Sequence, residues 1–121
     1  MAREVGGTTR IDLGDGASLE VRRLAWREEM ALRKRHPAPE GDAAKAETPE
    51  QVSIRNADYA LDGVASCVVA IAGFSLAGAP VDVMVRRSVE EVVASLTASE
   101  FARVHAAVFG AIRDEETGLK N

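Results

Sequence analysis

The sequence predicts a mainly helical α+β protein in which an N-terminal β-hairpin precedes a small helical bundle. A strong turn signal at residues 14–17 (Gly-Asp-Gly-Ala) separates two runs in which apolar and polar residues alternate. Farther along, three capping-box sequences and apolar residues at helical spacing predict helices. The length of 121 residues fits one small domain.

The predicted hairpin consists of residues 8–13 and 18–24. Ile11 and Leu13 share one face of the first run, and Leu19 and Val21 share one face of the second. Residues 1–7 carry no such pattern, and we interpret them as a loose arm.

Residues 25–36 are rich in good helix formers and stop at Pro37, which predicts a short amphipathic helix. Trp26, Met30 and Arg33 recur along it at i, i+4 and i+7. Two interpretations of Trp26 are open. It packs in the core, which is slightly favoured as an interpretation, or it anchors a partner together with Met30. The segment 8–36 thus forms a hairpin plus a helix.

Residues 37–47 (PAPEGDAAKAE) combine Pro, Gly, Ala and acidic residues without periodicity. This composition is typical of a linker or mobile loop, so we expect disorder here.

A long helix is predicted from about residue 49 to about residue 72. Its N-cap is Thr48, with Gln51 at the third helical position. Gly63 costs on the order of 1 kcal/mol inside a helix, which indicates a close packing contact. The apolar face has the spacing expected of a helix: Ala57, Leu61, Val64, Val68 and Ile71.

The last third of the chain is predicted to be helical after a break at residues 78–80 (Gly-Ala-Pro). For residues 74–85 a short hairpin or extended segment is favoured, and a simple loop is the alternative. Ser88 and Thr97 are predicted N-caps of two helices. The last helix completes a helical core spanning residues 48–113, with Ile112 on its apolar face, and residues 114–121 form a frayed tail.

Composition limits the possible functions. Hydrophobic residues make up 46 % of the chain but aromatic residues only 4 %, so the core is built from small aliphatic side chains. A partner surface or a homo-oligomer could complete such a thin core. The net charge of −4 disfavours a nucleic-acid-binding domain, which usually carries a basic excess.

Three features of the sequence indicate where the protein is located. The single cysteine, Cys67, excludes an internal disulfide and fits a reducing, cytoplasmic setting; we expect it to pack in the core. The longest apolar stretch, residues 64–80, is too short and too interrupted to span a bilayer. The polar N-terminal sequence MAREVGGTTR does not resemble a signal peptide.

The sequence predicts no catalytic residue, no cofactor and no metal site. His36 and His105 lack the spacing of zinc ligands, and we expect both at surface or boundary positions. Asp58 and Asp62, at i and i+4, could share a metal or act as an acid and a base, but a solvated helix face is the commoner arrangement. The glycines near Asp15 lack the Lys-Ser/Thr pair of a phosphate-binding loop.

One locally basic run, residues 22–35, could bind something acidic. Trp26 is its only aromatic residue, which favours an acidic protein partner over nucleic acid; a contact with the acidic linker is a further alternative. The candidate partner-binding residues are Trp26, Met30, Arg22, Arg23, Arg27 and Arg33.

Five segments form a recognisable layout: IDLGDGASLEVRRL with the polar helix and charged loop after it, LDGVASCVVAIAGF, the break AGAPV, SVEEVVASL, and the final helix TASEFARVHAAVF. From about residue 8 to about residue 113, this layout resembles the tail assembly chaperones of long-tailed bacteriophages. The family has no catalytic residues. The source could equally be a prophage or another phage-derived tail device.

The resemblance implies a non-enzymatic cytoplasmic protein that binds the tape-measure protein and tail-tube subunits during tail assembly. The alternative is a structural subunit retained in a phage-like tail or baseplate. Two further hypotheses are a small enzyme using Asp58, Asp62 or His105, and a nucleic-acid-binding regulator using the basic run.

Overall fold

The computed structural model describes residues 7–110, which form a three-stranded antiparallel sheet, a small two-stranded ribbon and five helices. In chain order these are β1 (Thr8–Gly14), β2 (Ala17–Arg22), α1 (Trp26–Arg35), α2 (Asp42–Ala46), α3 (Pro49–Cys67), β3 (Val68–Ala72), β4 (Ser75–Leu76), β5 (Ala79–Pro80), α4 (Arg86–Ala94) and α5 (Ala98–Phe109). The predicted α+β, mainly helical class is confirmed.

The predicted N-terminal hairpin is confirmed. Strands β1 and β2 pair antiparallel, with Ile11 opposite Leu19. The turn between them places Asp15 at φ 54° and Gly16 at φ 79°. Two consecutive positive φ angles match the right-handed twist of paired strands, which is why the Asp-Gly pair is so informative in the sequence.

The predicted long helix is wrong in its second part. Helix α3 ends at Cys67, and the chain continues directly as β3, which pairs antiparallel with β2. The β-branched residues Val68, Val69 and Ile71 fit a pleated strand, and the free edge of β2 supplies the backbone partners. Over the short apolar run from Val68 to Ala72, the sequence pattern fits both a helix and a strand. Because the preceding residues are helical, the sequence alone favoured a continued helix.

Two of the three predicted N-caps are confirmed. The Thr48 hydroxyl accepts a hydrogen bond from the Gln51 amide at 3.1 Å, and the Thr97 hydroxyl accepts one from the Glu100 amide at 3.2 Å. The predicted Ser88 cap is wrong, because α4 begins earlier, at Arg86. The guanidinium of Arg86, in the first turn of α4, donates hydrogen bonds to Ser66 and Asp62 of α3.

The predicted linker contains the short helix α2, and its last residue, Glu47, pairs with Arg55 of α3 at 2.8 Å. The favoured hairpin in residues 74–85 is confirmed by β4 and β5. Ile112, the tail from 114 to 121 and residues 1–6 of the predicted arm lie outside the described residues.

The core lies between one face of the three-stranded sheet and helices α3, α4 and α5. Its buried side chains are aliphatic, as the composition predicts, and Cys67 packs among them as expected. The cluster consists of Ile11, Leu19, Val21, Val64, Ala65, Cys67, Val68, Val89, Val92, Val93, Val104 and Val108. Helix α1 packs on the outside of α3, away from this cluster.

Candidate protein-binding site

Helix α1 presents its largest apolar side chains to solvent. Trp26 is 75 % exposed and Met30 is 40 % exposed, whereas Leu32, on another side of the helix, is buried. The interpretation of Trp26 as a core residue is therefore wrong. Leu32 is the α1 side chain that packs against Gly63 of α3, beside the Phe109 ring, and Trp26 and Met30 are left on the outward side.

Three basic residues share this outward side of α1. Arg27 and Lys34 follow Trp26 and Met30 at i+1 and i+4, and neither forms an ion pair with another residue in the range 7–110. Arg33 pairs with Glu29 at 3.0 Å but stays exposed. We call the outward surface of Trp26, Arg27, Met30, Arg33 and Lys34 the α1 face.

Arg22 and Arg23, which the sequence placed in the same candidate site, lie elsewhere. Arg22 donates to both carboxylate oxygens of Glu28 at 2.6 Å and to the Ser66 carbonyl at 3.2 Å. The Arg23 guanidinium lies against Gly110 at the end of α5. Of the six candidates, only Trp26, Met30, Arg27 and Arg33 form one surface, and Lys34 is the residue that the sequence-based set omitted.

The Arg22–Glu28 pair fixes the start of α1. The Glu28 carboxylate also accepts a hydrogen bond from the Ala25 amide at 3.0 Å, which satisfies an N–H at the helix start. The hydrogen bonds from Arg22 lower the pKa of Glu28, and partial burial opposes this effect. Glu28 is therefore held as a carboxylate between the helix and strand β2.

Asp62 of α3 fixes the other end of α1. Its carboxylate accepts hydrogen bonds from the Arg35 guanidinium at 2.9 and 3.0 Å and from the Arg86 guanidinium at 2.7 Å. It also lies 2.7 Å from Nε2 of His36. Arg35, then His36 and Arg86, hold the pKa of Asp62 well below its usual range, although burial acts in the opposite direction. We call Asp62 with these three partners the Asp62 cluster.

The histidines occupy boundary positions. The His36 ring meets Tyr59 edge-on at 6.0 Å, and Tyr59 stacks on Phe109 at 5.9 Å. His105 stacks on Phe109 at a ring-centroid distance of 4.5 Å, and burial lowers the pKa of His105. These rings join α1, α3 and α5, and the Phe109 ring covers Gly63, which confirms the predicted close contact at that glycine.

A second surface, which sequence reasoning did not identify, lies between α3 and the junction of α4 with α5. This α3–α5 groove has a volume of about 250 Å³. Its lining consists of Ala57, Asp58, Ala60, Leu61, Val93, Ala94, Leu96 and Phe101. Only the packing of three helices brings these residues together, so no local sequence signal reveals the groove.

The side chains considered for metal binding or catalysis lie in different environments. Within residues 7–110, no group of three or more His, Cys, Asp or Glu residues is placed to hold a metal ion. Asp62 has its oxygens occupied by the Asp62 cluster, while Asp58 lines the α3–α5 groove and is exposed. Burial raises the pKa of the Cys67 thiol to about 11, and a buried thiol of this kind is a poor nucleophile.

Comparisons of the chain with protein-family models, with curated protein sequences and with solved structures found no match. Among residues 7–110, no helix combines the length and the apolar character that a membrane-crossing segment requires. The α1 face is the described surface that unites a large aromatic side chain, a flexible apolar one and positive charge.

Proposed function

We propose that this chain is a non-enzymatic tail assembly chaperone of a long-tailed phage or a phage-derived tail device. In this role it binds the tape-measure protein, and tail-tube subunits with it, in the host cytoplasm through the α1 face. The observation that supports a binding role most directly is the exposure of Trp26 and Met30 on one side of a firmly anchored helix. The specific identity rests on the resemblance of the sequence layout.

The residue types on the α1 face suit protein recognition. Trp and Arg are enriched among the residues that dominate binding energy, and Met adapts its shape to irregular apolar surfaces. Trp26 leaves most of its indole in water in the free chain, so a partner that covers it gains apolar burial.

The anchoring of α1 reduces the entropic cost of binding. The Arg22–Glu28 pair fixes one end of the helix and the Asp62 cluster fixes the other. A helix already held in its binding geometry loses little freedom when a partner arrives.

The charge of the α1 face indicates the chemistry of the client segment. Arg27 and Lys34 lie beside Trp26 and Met30 without an ion-pair partner among residues 7–110. The complementary client is therefore an amphipathic helix with apolar residues and acidic neighbours. Long helical tape-measure proteins can offer such segments repeatedly along their length.

Co-expression with a tape-measure-like protein tests this proposal. The wild-type chain should keep the client soluble and co-purify with it. A double substitution, Trp26→Ser with Met30→Ser, should abolish both effects, whereas Met84→Ser, at a residue that is 86 % exposed outside the α1 face, should leave them unchanged.

Two results would count against the proposal. If the wild-type chain failed to keep the client soluble, it would not be acting as a chaperone for that protein. If mass spectrometry found the chain in purified particles in stoichiometric amount, it would be the structural subunit instead.

A further inference from the structure

We propose that the α3–α5 groove binds the α1 face of a second copy of this chain, so that copies associate head to tail. This inference goes beyond the proposed function, because it concerns contacts between copies in the absence of client. A client bound to the α1 face would compete with this contact. The two surfaces match in apolar character and in charge, and the groove has room for one large side chain.

The floor of the groove is apolar and incompletely covered. Leu61, Leu96 and Phe101 pack against the core on one side and line the groove on the other. The small side chains of Ala57 and Ala94 keep the groove open. An occupant that covers this floor removes apolar surface from water, which favours binding.

The apolar surface continues beyond the groove along α3. Ile54, which is 58 % exposed, precedes Ala57 and Leu61 at helical spacing and therefore lies on the same side of the helix. The combined surface is an elongated strip, which suits a helix lying along it.

The size of the groove favours a side chain over a metabolite. Pockets for small molecules typically have volumes of about 300–1,000 Å³. The volume here is about 250 Å³, and the groove is open to solvent along the Ile54 strip. One large apolar side chain from a partner helix fits these dimensions.

Acidic residues border the strip. Asp58 lines the groove, Glu50 precedes Ile54 by one turn of α3, and Glu91 precedes Ala94 by one turn of α4. All three are exposed, and none forms an ion pair with another of the described residues.

Most of the arginines on the helices near the groove are bound to other carboxylates. Arg35 and Arg86 are bound to Asp62, and Arg55 is bound to Glu47. Arg87 is exposed, one turn before Glu91 on α4, and offsets the charge of Glu91. The negative charge of the border therefore rests on Asp58 and Glu50. The complementary occupant is therefore an apolar helix face with positive charge at its edges.

The α1 face has this complementary pattern. Trp26 and Met30 are apolar and exposed, and Arg27 and Lys34 flank them. Trp26 supplies the one large side chain that the groove can accommodate. Every copy carries both surfaces. A second copy therefore supplies the positive charge that complements the acidic border of the groove.

The contact has to be intermolecular because α3 separates the two surfaces. Tyr59 and Gly63 of α3 point to the side that packs against α1, where they meet His36 and Leu32. The groove lies on another side of α3. Different surfaces meet in such a contact, so repetition produces rings or open chains and not a closed symmetric pair.

A charge-exchange experiment tests the inference. Sedimentation velocity and light scattering over a range of protein concentrations should show that wild-type association grows with concentration and weakens as salt is added. Asp58→Lys alone, and Arg27→Glu with Lys34→Glu, should each weaken association at least about ten-fold, because like charges then face each other.

Mixing the two variants is the decisive step. The lysine of one variant's groove then faces the glutamates of the other's α1 face, and the two unaltered surfaces also match, so association should return in the mixture alone. Glu40→Lys, an exposed residue outside both surfaces, makes the same change in net charge as Asp58→Lys and should leave association as in the wild type. Circular dichroism of each variant verifies that the fold is kept.

Three results would overturn the inference: a wild-type chain that stays monomeric at every concentration, variants that associate like the wild type, or a mixture that fails to regain association. None of them bears on the client. A chain that self-associates yet does not keep the client soluble would overturn the proposed function alone.

Discussion

At the scale of single residues, Asp62 connects more of the structure than any local pattern around it suggests. Its side chain is only 17 % exposed, and its carboxylate joins the end of α1, through Arg35 and His36, to the start of α4, through Arg86. A largely buried carboxylate with these partners stabilises the fold because removal of its charge leaves Arg35 without its carboxylate partner and leaves Arg86 with Glu90 alone.

We expect Asp62→Asn to lower the free energy of unfolding at pH 7 by about 1–3 kcal/mol. Since the folded state depresses the pKa of Asp62, its contribution is present above the unfolded pKa of about 3.9 and is lost as the pH falls below about 4. Urea titrations at neutral and acidic pH should therefore show a difference between wild type and variant that shrinks in acid.

Asp58→Asn is the matched control, because Asp58 lies on the same helix but is exposed. It should change the stability by no more than about 0.5 kcal/mol. Equal effects at the two positions would show that the Asp62 cluster does not stabilise the fold.

At the scale of elements, strand β3 depends on a glycine that the sequence does not single out. Gly73 follows β3 at φ +77°, and a Cβ atom there would overlap the backbone of Gly16 and lie 2.6 Å from Cα of Ala17. The end of β3 thus packs directly on the hairpin turn, which only a residue without a side chain allows.

We expect Gly73→Ala to destabilise the protein by about 2–4 kcal/mol, since it combines an unfavourable φ with a backbone clash. Gly78→Ala separates the two causes. Gly78 has φ +81°, but apart from its two chain neighbours no residue in the range 7–110 has an atom within 4 Å of the position that the methyl group would occupy. That variant should lose only about 1–2 kcal/mol in thermal or urea unfolding. The same loss in both variants would contradict the close approach of β3 to the turn.

At the scale of the whole molecule, the core and the surface offer separate probes. Cys67 is the only cysteine of the chain and is fully buried, whereas Trp26 is the only tryptophan and is mostly exposed. Trp26 emission should therefore resemble that of free tryptophan and report on partner binding, while Cys67 reports on opening of the core.

We expect a thiol reagent such as DTNB to modify native Cys67 at least about 10³-fold more slowly than the urea-unfolded chain, because the core must open first. Burial raises the pKa of this thiol to about 11 from an unfolded value of about 8.5, so stability should also fall as the pH rises above about 8.5. Rapid modification in native buffer would show that the core around Cys67 opens without global unfolding.

The sequence by itself determined the features that rest on neighbouring residues. The Asp15-Gly16 turn and the caps at Thr48 and Thr97 are local features. Each involves residues at most a few positions apart, so each can be predicted without knowledge of the fold. The apolar periodicity likewise revealed α3 and α5, and the burial of Cys67 followed from its position on an apolar stretch.

The tertiary structure decided what depends on residues far apart in the chain. Strand β3 exists because β2 offers a free edge, and α4 begins at Arg86, whose side chain binds Asp62 of α3. The outward direction of Trp26 follows from the space that Gly63 leaves for Leu32. The α3–α5 groove also depends on distant residues, because three helices meet there. A cap or a turn is formed by residues close in sequence, whereas packing involves residues that no local pattern connects.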